Sequence, residues 1–200
     1  MIKDEIAPGI VSYKNVLDDN IISTLINDIE EGASSLNVEW GKSLVQSKDA
    51  IEVDTNSRDT EIIGVPYKGY IVDDFMTVSD AFYGTLSNIF FQAFNPREID
   101  YRSMFSCETT WHDDYGILKY GVGQKFTNHI DDHTNHHRRI STIFYMNDDY
   151  EGGEIKFPRF DVTHKPEKNE LIIFPSTYMY NHSVLPVTSG TRYAVVSWLR

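Results

Sequence analysis

Residues 120–131 read YGVGQKFTNHID, and everything else in the chain is best read outward from them. The segment extends as a strand and ends in His129 and Asp131. One residue separates the two, so on extended backbone both side chains point to the same face. His182, downstream in NHSVLPVTSGTRY, offers a second imidazole. Two imidazoles and one carboxylate occupy one face of an octahedral metal and leave the remaining positions open, the arrangement suited to non-haem Fe(II) and O2. A lone His-x-Asp is common by chance; its neighbours are what give this one weight.

Those neighbours belong to a β-rich half. After Tyr101, segments rich in Val, Ile, Tyr and Phe alternate with Gly, Asp and Asn: MFSCETTW, GILKYG, QKFTNHI, RISTIFYM, GEIKF, NELIIFP, MYNHSVL and RYAVVSWL. Eight short strands at this spacing predict a sandwich, barrel or jelly roll. The first half reads differently. GIVSYKNV at residues 9–16 is extended. Ile21, Ile22, Leu25, Ile26 and Ile29 then recur at helical spacing behind Asp18 or Asp19 as N-cap, and EEGASS ends that helix. Residues 37–75 are mixed, with NVEW and EIIGV extended and DTNSRDT a loop; long irregular segments near active sites often act as lids, and the sequence leaves open whether this one does. A second helix starts near Thr77 or Ser79, carries Val78, Phe82, Leu86, Ile89, Phe90 and Phe94 as its apolar stripe, and stops at Asn95-Pro96. The expected class is α+β, mainly β, with the helices packed on one face of the β core. No repeat or linker divides the chain, which gives a single domain over 1–200: helical support in 1–100 and the catalytic β core in 101–200.

Composition narrows the function classes. Hydrophobic residues make up 40% and charged residues 24%, a globular balance. Lys plus Arg number 18 against 30 Asp plus Glu, a net charge of −12, which argues against general affinity for nucleic acid or anionic membranes. Cys107 is the single cysteine, MIKDEIAPGI lacks the features of a signal peptide, and no apolar stretch is long enough to span a bilayer. A reducing, cytoplasmic setting is the expectation.

The pattern as a whole resembles the Fe(II)- and 2-oxoglutarate-dependent dioxygenases of the prolyl 4-hydroxylase type. Tyr120 lies nine residues before His129; Arg138, Ser141, Tyr145 and Asn147 match an R-x-x-[ST]-x-x-x-Y-x-N strand. Gly152-Gly153-Glu154 and Phe157 match a GGE-x-x-F segment, and Arg192 follows His182 by ten positions. The tail FPSTYMYNHSVLPVTSGTR is similar to bacterial hydroxylases of the same superfamily. The resemblance covers about Tyr115 to Arg200 and implies a double-stranded β-helix (jelly roll) core. It implies His129, Asp131 and His182 as iron ligands and catalytic centre, with O2 and 2-oxoglutarate as co-substrates and ascorbate as a reductant. Arg192, whose guanidinium is planar and always charged, is implied as the anchor of the far carboxylate of 2-oxoglutarate, with Tyr145 and Tyr120 as further contacts. Because Asp131 is retained, hydroxylation is favoured over the halogenation of relatives that lack this carboxylate. The implied substrate is a prolyl residue of a peptide or protein, or a small amino-acid-like molecule.

Other readings stand beside this one. A jelly-roll binding module without catalysis predicts a missing ligand, and none is missing. A nucleic-acid base demethylase predicts basic stretches with interleaved aromatics, and the acidic composition lacks them. His133, His136 and His137 read as a polar loop at the barrel mouth. His112, His164 and Arg139 read as surface residues, Arg138 as a match to the family pattern that contacts substrate, and Trp198 equally as a family position or strand packing. The sequence leaves the oligomeric state open.

Overall fold

The computed structural model describes residues 1–36, 38–46, 51–67, 78–132 and 137–200. In chain order the first half holds β1 (Ile2–Ala7), β2 (Ile10–Lys14), α1 (Asp19–Ser35), β3 (Gly41–Lys42), β4 (Val45–Gln46), β5 (Ile51–Glu52), β6 (Glu61–Val65) and α2 (Val78–Phe105). The second half holds β7 (Tyr115–Tyr120), β8 (Phe126–His129), β9 (Ile140–Tyr145), β10 (Glu151–Gly152), β11 (Ile155–Phe157) and β12 (Val162–His164). It continues with β13 (Glu170–Pro175), β14 (His182–Val184), β15 (Val187–Ser189) and β16 (Arg192–Leu199). The protein is mainly β, with two helices and antiparallel pairing throughout the described strands.

Eight strands form one sheet in the order β1-β2-β13-β9-β16-β7-β6-β3, and four form another in the order β12-β11-β14-β8. The central strands of the large sheet are buried on both faces, so apolar residues fill both faces of each strand rather than alternating with exposed polar ones. Alternation then sorts them. Tyr115, Ile117, Phe144, Leu171, Ile173 and Val195 face the helices, whereas Leu118, Tyr120, Ile143, Tyr145, Ile172, Phe174, Ala194 and Val196 face the small sheet. The helical layer brings Ile22, Leu25 and Ile29 of α1 and Leu86, Phe90 and Phe94 of α2 to the first set. The small sheet brings Ile155, Phe157 and Val184 to the second, and the candidate site lies in this inner layer.

Several local expectations are met and others need correction. Asp18 caps α1, accepting the Asn20 amide at 2.8 Å. EEGASS ends the helix as expected, at Ser35, and Gly32 within it lies so close to α2 that a side chain there would collide with the Phe82 ring. By contrast, α2 does not stop at Asn95-Pro96. Proline removes the amide that would bond the Gln92 carbonyl, and Arg97 Nη1 donates to that carbonyl at 3.2 Å instead, so the helix continues to Phe105. MFSCETTW is therefore no strand: it comprises the end of α2 and a connection, and only the next residue, His112, bridges to Leu199. In NVEW, residues 38–40 form no regular element, whereas EIIGV is β6 and DTNSRDT a turn-rich loop. β1, β12 and β15 were not foreseen. The Thr77 cap, residues 37, 47–50 and 68–75 of the mixed stretch, His133 and His136 lie outside the described residues, as does the Ser79 side chain.

Two histidines are not surface residues. His112 is buried, with Nε2 3.0 Å from Glu98 Oε1 and its ring stacked on Tyr67 at 3.9 Å. Ending the second helix at Pro96 is what hid Glu98 as a partner. His164 is half-buried and bonds Glu170 Oε1 at 2.8 Å.

Candidate metal centre and anion pocket

The register of the small sheet builds the centre. β14 pairs with β8 so that His182 stands opposite His129, and Asp131 follows one turn of chain beyond β8. One ligand atom from each of His129, Asp131 and His182 falls within 4.8 Å of the others, a spread that can hold one metal ion. His129 Nε2 lies 3.5 Å from Asp131 Oδ1, and His182 Nε2 lies 3.8 Å from Asp131 Oδ2.

Secondary contacts fix the orientation of all three. Nδ1 of His129 donates to the Thr127 carbonyl at 2.8 Å, and Nδ1 of His182 donates to the Tyr180 carbonyl at 3.1 Å. A carbonyl only accepts, so each Nδ1 carries the hydrogen and each Nε2 keeps its lone pair for a ligand. Asp131 Oδ2 accepts from Ser141 Oγ at 2.7 Å, and Ser141 in turn touches Ser176 Oγ at 2.8 Å. Phe126 stacks on the His129 ring at 3.5 Å with Arg58 over its ring, and Phe174 and Phe157 pack around His182. Burial pushes the His182 imidazole down to about 4, with His129 acting in the same direction. Burial alone would raise the Asp131 carboxyl; His182, His129 and the Ser141 hydroxyl outweigh it and hold the group below the usual carboxylate range. Neutral imidazole and ionised carboxylate are the forms that bind metal.

The second half of the site is a buried cation without an anion. Arg192 opens β16, stands opposite Tyr120 in the β7 register, and is 1% exposed. Its guanidinium carbon lies 4.8 Å from the Tyr120 ring centre and 5.0 Å from that of Tyr145. Among the described residues no carboxylate pairs with it, and its Nε and Nη1 have no hydrogen-bond partner. The buried hydroxyls of Tyr145 and Tyr150 are also without partners. Burying a charge unpaired is costly, so a pocket with a guanidinium and two orphan hydroxyls fits a carboxylate ligand. Tyr120 and Tyr145 share their apolar cluster with Phe157 and Phe174, the rings that touch His182, so Arg192 and the metal centre border one apolar cluster.

Tyr150 was missed, because a tyrosine in a polar turn before Gly152-Gly153 carries no signal of burial in the sequence. Arg138 lies over Trp198 at 3.5 Å and bonds Asp113 at 3.3 Å, while Arg139 is exposed and donates to the Glu108 carbonyl. His137 is exposed and stands apart from the three ligand candidates.

A mainly β protein whose inner layer gathers two imidazoles, one carboxylate and an unpaired arginine has the features of a non-haem iron oxygenase. The comparisons agree. The model of the 2OG-Fe(II) oxygenase superfamily matches residues 115–200. A PKHD-type hydroxylase of Gloeothece citriformis is 33% identical over 138 residues, 62% of this chain and 52% of the relative. Human prolyl 3-hydroxylase 2 is 41% identical over 66 residues, 30% of this chain and 9% of the relative. The chain thus spans about half the length of the first and under a tenth of the second. Among solved structures, a collagen prolyl hydroxylase of Paramecium bursaria Chlorella virus-1 aligns with TM-score 0.63 and 21% identity over 96% of both chains. A Trichoplax adhaerens prolyl hydroxylase, solved with a hypoxia-inducible-factor peptide, aligns with TM-score 0.69 and 17% identity over 96% of this chain and 83% of its own. Residues 115–200 thus match the 2OG-Fe(II) oxygenase superfamily, and the chain shares the fold of the prolyl hydroxylases. No helix among the described residues is long and apolar enough to cross a membrane.

Proposed function

We propose that this chain is a single-domain dioxygenase that hydroxylates a prolyl residue in a peptide or protein, or a closely similar amino-acid-like substrate. The observation that carries the reading is the pairing, in one buried interior, of the His129–Asp131–His182 set with an unpaired Arg192. In this reading the large and small sheets are the two halves of a double-stranded β-helix, and the enzyme is cytoplasmic. The prolyl substrate is supported by the names of the similar proteins, among them prolyl hydroxylases and one bound to a peptide.

His129, Asp131 and His182 are the iron ligands. When bound, iron supplies the redox centre at which O2 is reduced while 2-oxoglutarate is converted to succinate and CO2 and a substrate C–H bond becomes C–OH. The chain's own residues position and shield. The Thr127 and Tyr180 carbonyls hold the imidazole rings, and Ser141 holds the carboxylate. Arg192 and Tyr145 hold the far carboxylate of 2-oxoglutarate, with Tyr120 as a further contact whose ring centre lies 4.8 Å from the guanidinium carbon. Phe157 and Phe174 keep water from the buried side of His182.

The test is succinate formation by purified protein supplied with Fe(II), 2-oxoglutarate, ascorbate and O2 in the presence of proline-containing peptides, with His129→Ala in parallel. Turnover that vanishes in the variant, with a mass gain of one oxygen on a peptide, is the expected result. No turnover together with no 2-oxoglutarate binding refutes the reading and leaves a jelly-roll binding module.

A further inference from the structure

The hydroxyl of Tyr150 has no role in holding the fold together. The residue is 3% exposed, and its Oη finds no partner among the described residues. A buried hydroxyl left unpaired destabilises the fold, and phenylalanine fills the same space without that cost. The structure nevertheless fixes this ring firmly. Lys165 Nζ stands 3.7 Å over it and donates to the Tyr150 carbonyl at 2.7 Å and the Gly152 carbonyl at 2.8 Å. Gly153 is close to both the ring and the Arg192 stem: a Cβ added there, where φ is +65°, would sit 3.0 Å from both Arg192 Cδ and Tyr150 Cε2. Burial raises both the Tyr150 and the Tyr145 hydroxyls above their ordinary range, and the nearby Arg192 charge acts on both in the opposite direction.

We propose that Tyr150 is a third donor, with Arg192 and Tyr145, to the far carboxylate of 2-oxoglutarate, and that Lys165 is the residue that positions it. This rests on the reading of the Arg192 pocket as the 2-oxoglutarate site. A carboxylate has room for such a donor: its two oxygens accept about four hydrogen bonds, and a bidentate guanidinium takes two of them.

The experiment is calorimetric titration of Mn(II)-loaded protein under anaerobic conditions with 2-oxoglutarate and, separately, with 2-oxobutyrate, which lacks the far carboxylate. Thermal midpoints of the ligand-free proteins are read alongside. Tyr150→Phe is expected to weaken 2-oxoglutarate about tenfold or more, to leave 2-oxobutyrate unchanged, and to hold or raise the ligand-free midpoint. Unchanged 2-oxoglutarate affinity overturns the assignment. Equal weakening of both ligands overturns it too, since the ring would then act by shape alone. Wild-type protein that binds 2-oxoglutarate no better than 2-oxobutyrate is a distinct result that removes the Arg192 reading and this one with it. Lys165→Met is expected to weaken 2-oxoglutarate in the wild type and to add nothing in the Tyr150→Phe background; additive losses overturn its positioning role.

Discussion

Replacing Arg192 by methionine should make the ligand-free protein more stable and the ligand-bound protein impossible to form. Arg192 is 1% exposed, its Nε and Nη1 are unpartnered, and no described carboxylate pairs with it. Exchanging a buried ionic group for an apolar side chain of similar volume is often neutral or stabilising by about 1–4 kcal/mol. For a chain of this size each kcal/mol moves the melting midpoint by about 2–4 °C, so the ligand-free variant should melt at least about 2 °C higher than the wild type. Bound 2-oxoglutarate reverses the order. At a hundredfold excess over its dissociation constant a ligand stabilises by about 2.7 kcal/mol, which raises the wild-type midpoint by about 5–10 °C. Removing the guanidinium leaves the far carboxylate buried without its counter-ion, at a cost of about 3–5 kcal/mol, and the ligand-induced rise should disappear. The assay is thermal denaturation of Mn(II)-loaded protein with and without 2-oxoglutarate, with metal affinity measured separately and expected to stay within a fewfold. A ligand-free midpoint several degrees lower, or a persistent 2-oxoglutarate-induced rise, refutes the reasoning and means that another group neutralises the ligand.

Two further outcomes follow from single contacts. Ser141→Ala removes the hydroxyl that donates to Asp131 Oδ2 at 2.7 Å, and loss of such an outer contact should weaken Mn(II) or Fe(II) binding about tenfold with little change in 2-oxoglutarate affinity for the loaded protein; full retained metal affinity would mean that Ser141 does not orient the carboxylate. Glu170, fully buried, accepts from Ser12, Lys14, His164 and the Glu167 amide; burial alone would raise its carboxyl, yet these donors hold it at about 2 instead of the ordinary 4.5. A depressed carboxyl stabilises fully above its unfolded value, and the contribution, about 3 kcal/mol, is lost as the pH falls from 4.5 towards 2. Urea midpoints across that range should therefore fall less steeply in Glu170→Gln than in the wild type, and parallel acid limbs would show that Glu170 does not carry the loss.

How much of this was legible in the sequence depends on the distance over which each signal acts. The three ligand candidates were, because a His-x-Asp at the end of an extended run fixes two side chains on one face by strand geometry alone, and the match to a family pattern adds His182 and Arg192. The strands around Ile143, Ile172 and Val195 were legible as apolar runs bounded by turn residues. Contacts between distant elements were not. The passage of α2 through Pro96 depends on Arg97 taking the freed Gln92 carbonyl, which local propensity does not reveal. That error then hid Glu98 and made His112 look like a surface residue. β1 and β12 are edge strands with largely polar or half-buried faces, so alternation gave them no contrast. Tyr150 was invisible for a similar reason: its burial comes from Lys165, Arg192 and the glycines folded around it.

Those glycines show that the two halves of the site are prepared in opposite ways. Around the metal centre every group not meant for a ligand is already occupied: both Nδ1 atoms are bonded, Asp131 is held by Ser141, and the rings are packed by phenylalanines. Around Arg192 the backbone is closed tightly and the polar groups are left open. Gly152, Gly153 and Gly190 all have positive φ, and side chains there would collide with the Pro186 carbonyl, with Arg192 and Tyr150, and with the Asp149 carbonyl. The wall is thus drawn in until only a ligand can satisfy the guanidinium and the two phenols it encloses. Preorganised ligands give affinity without moving the fold, whereas unsatisfied buried groups tie fold stability to occupancy. Damage to the metal half should therefore be read mainly in metal affinity, and damage to the anion half in the thermal response to 2-oxoglutarate, which is why the Ser141 and Arg192 variants call for different assays.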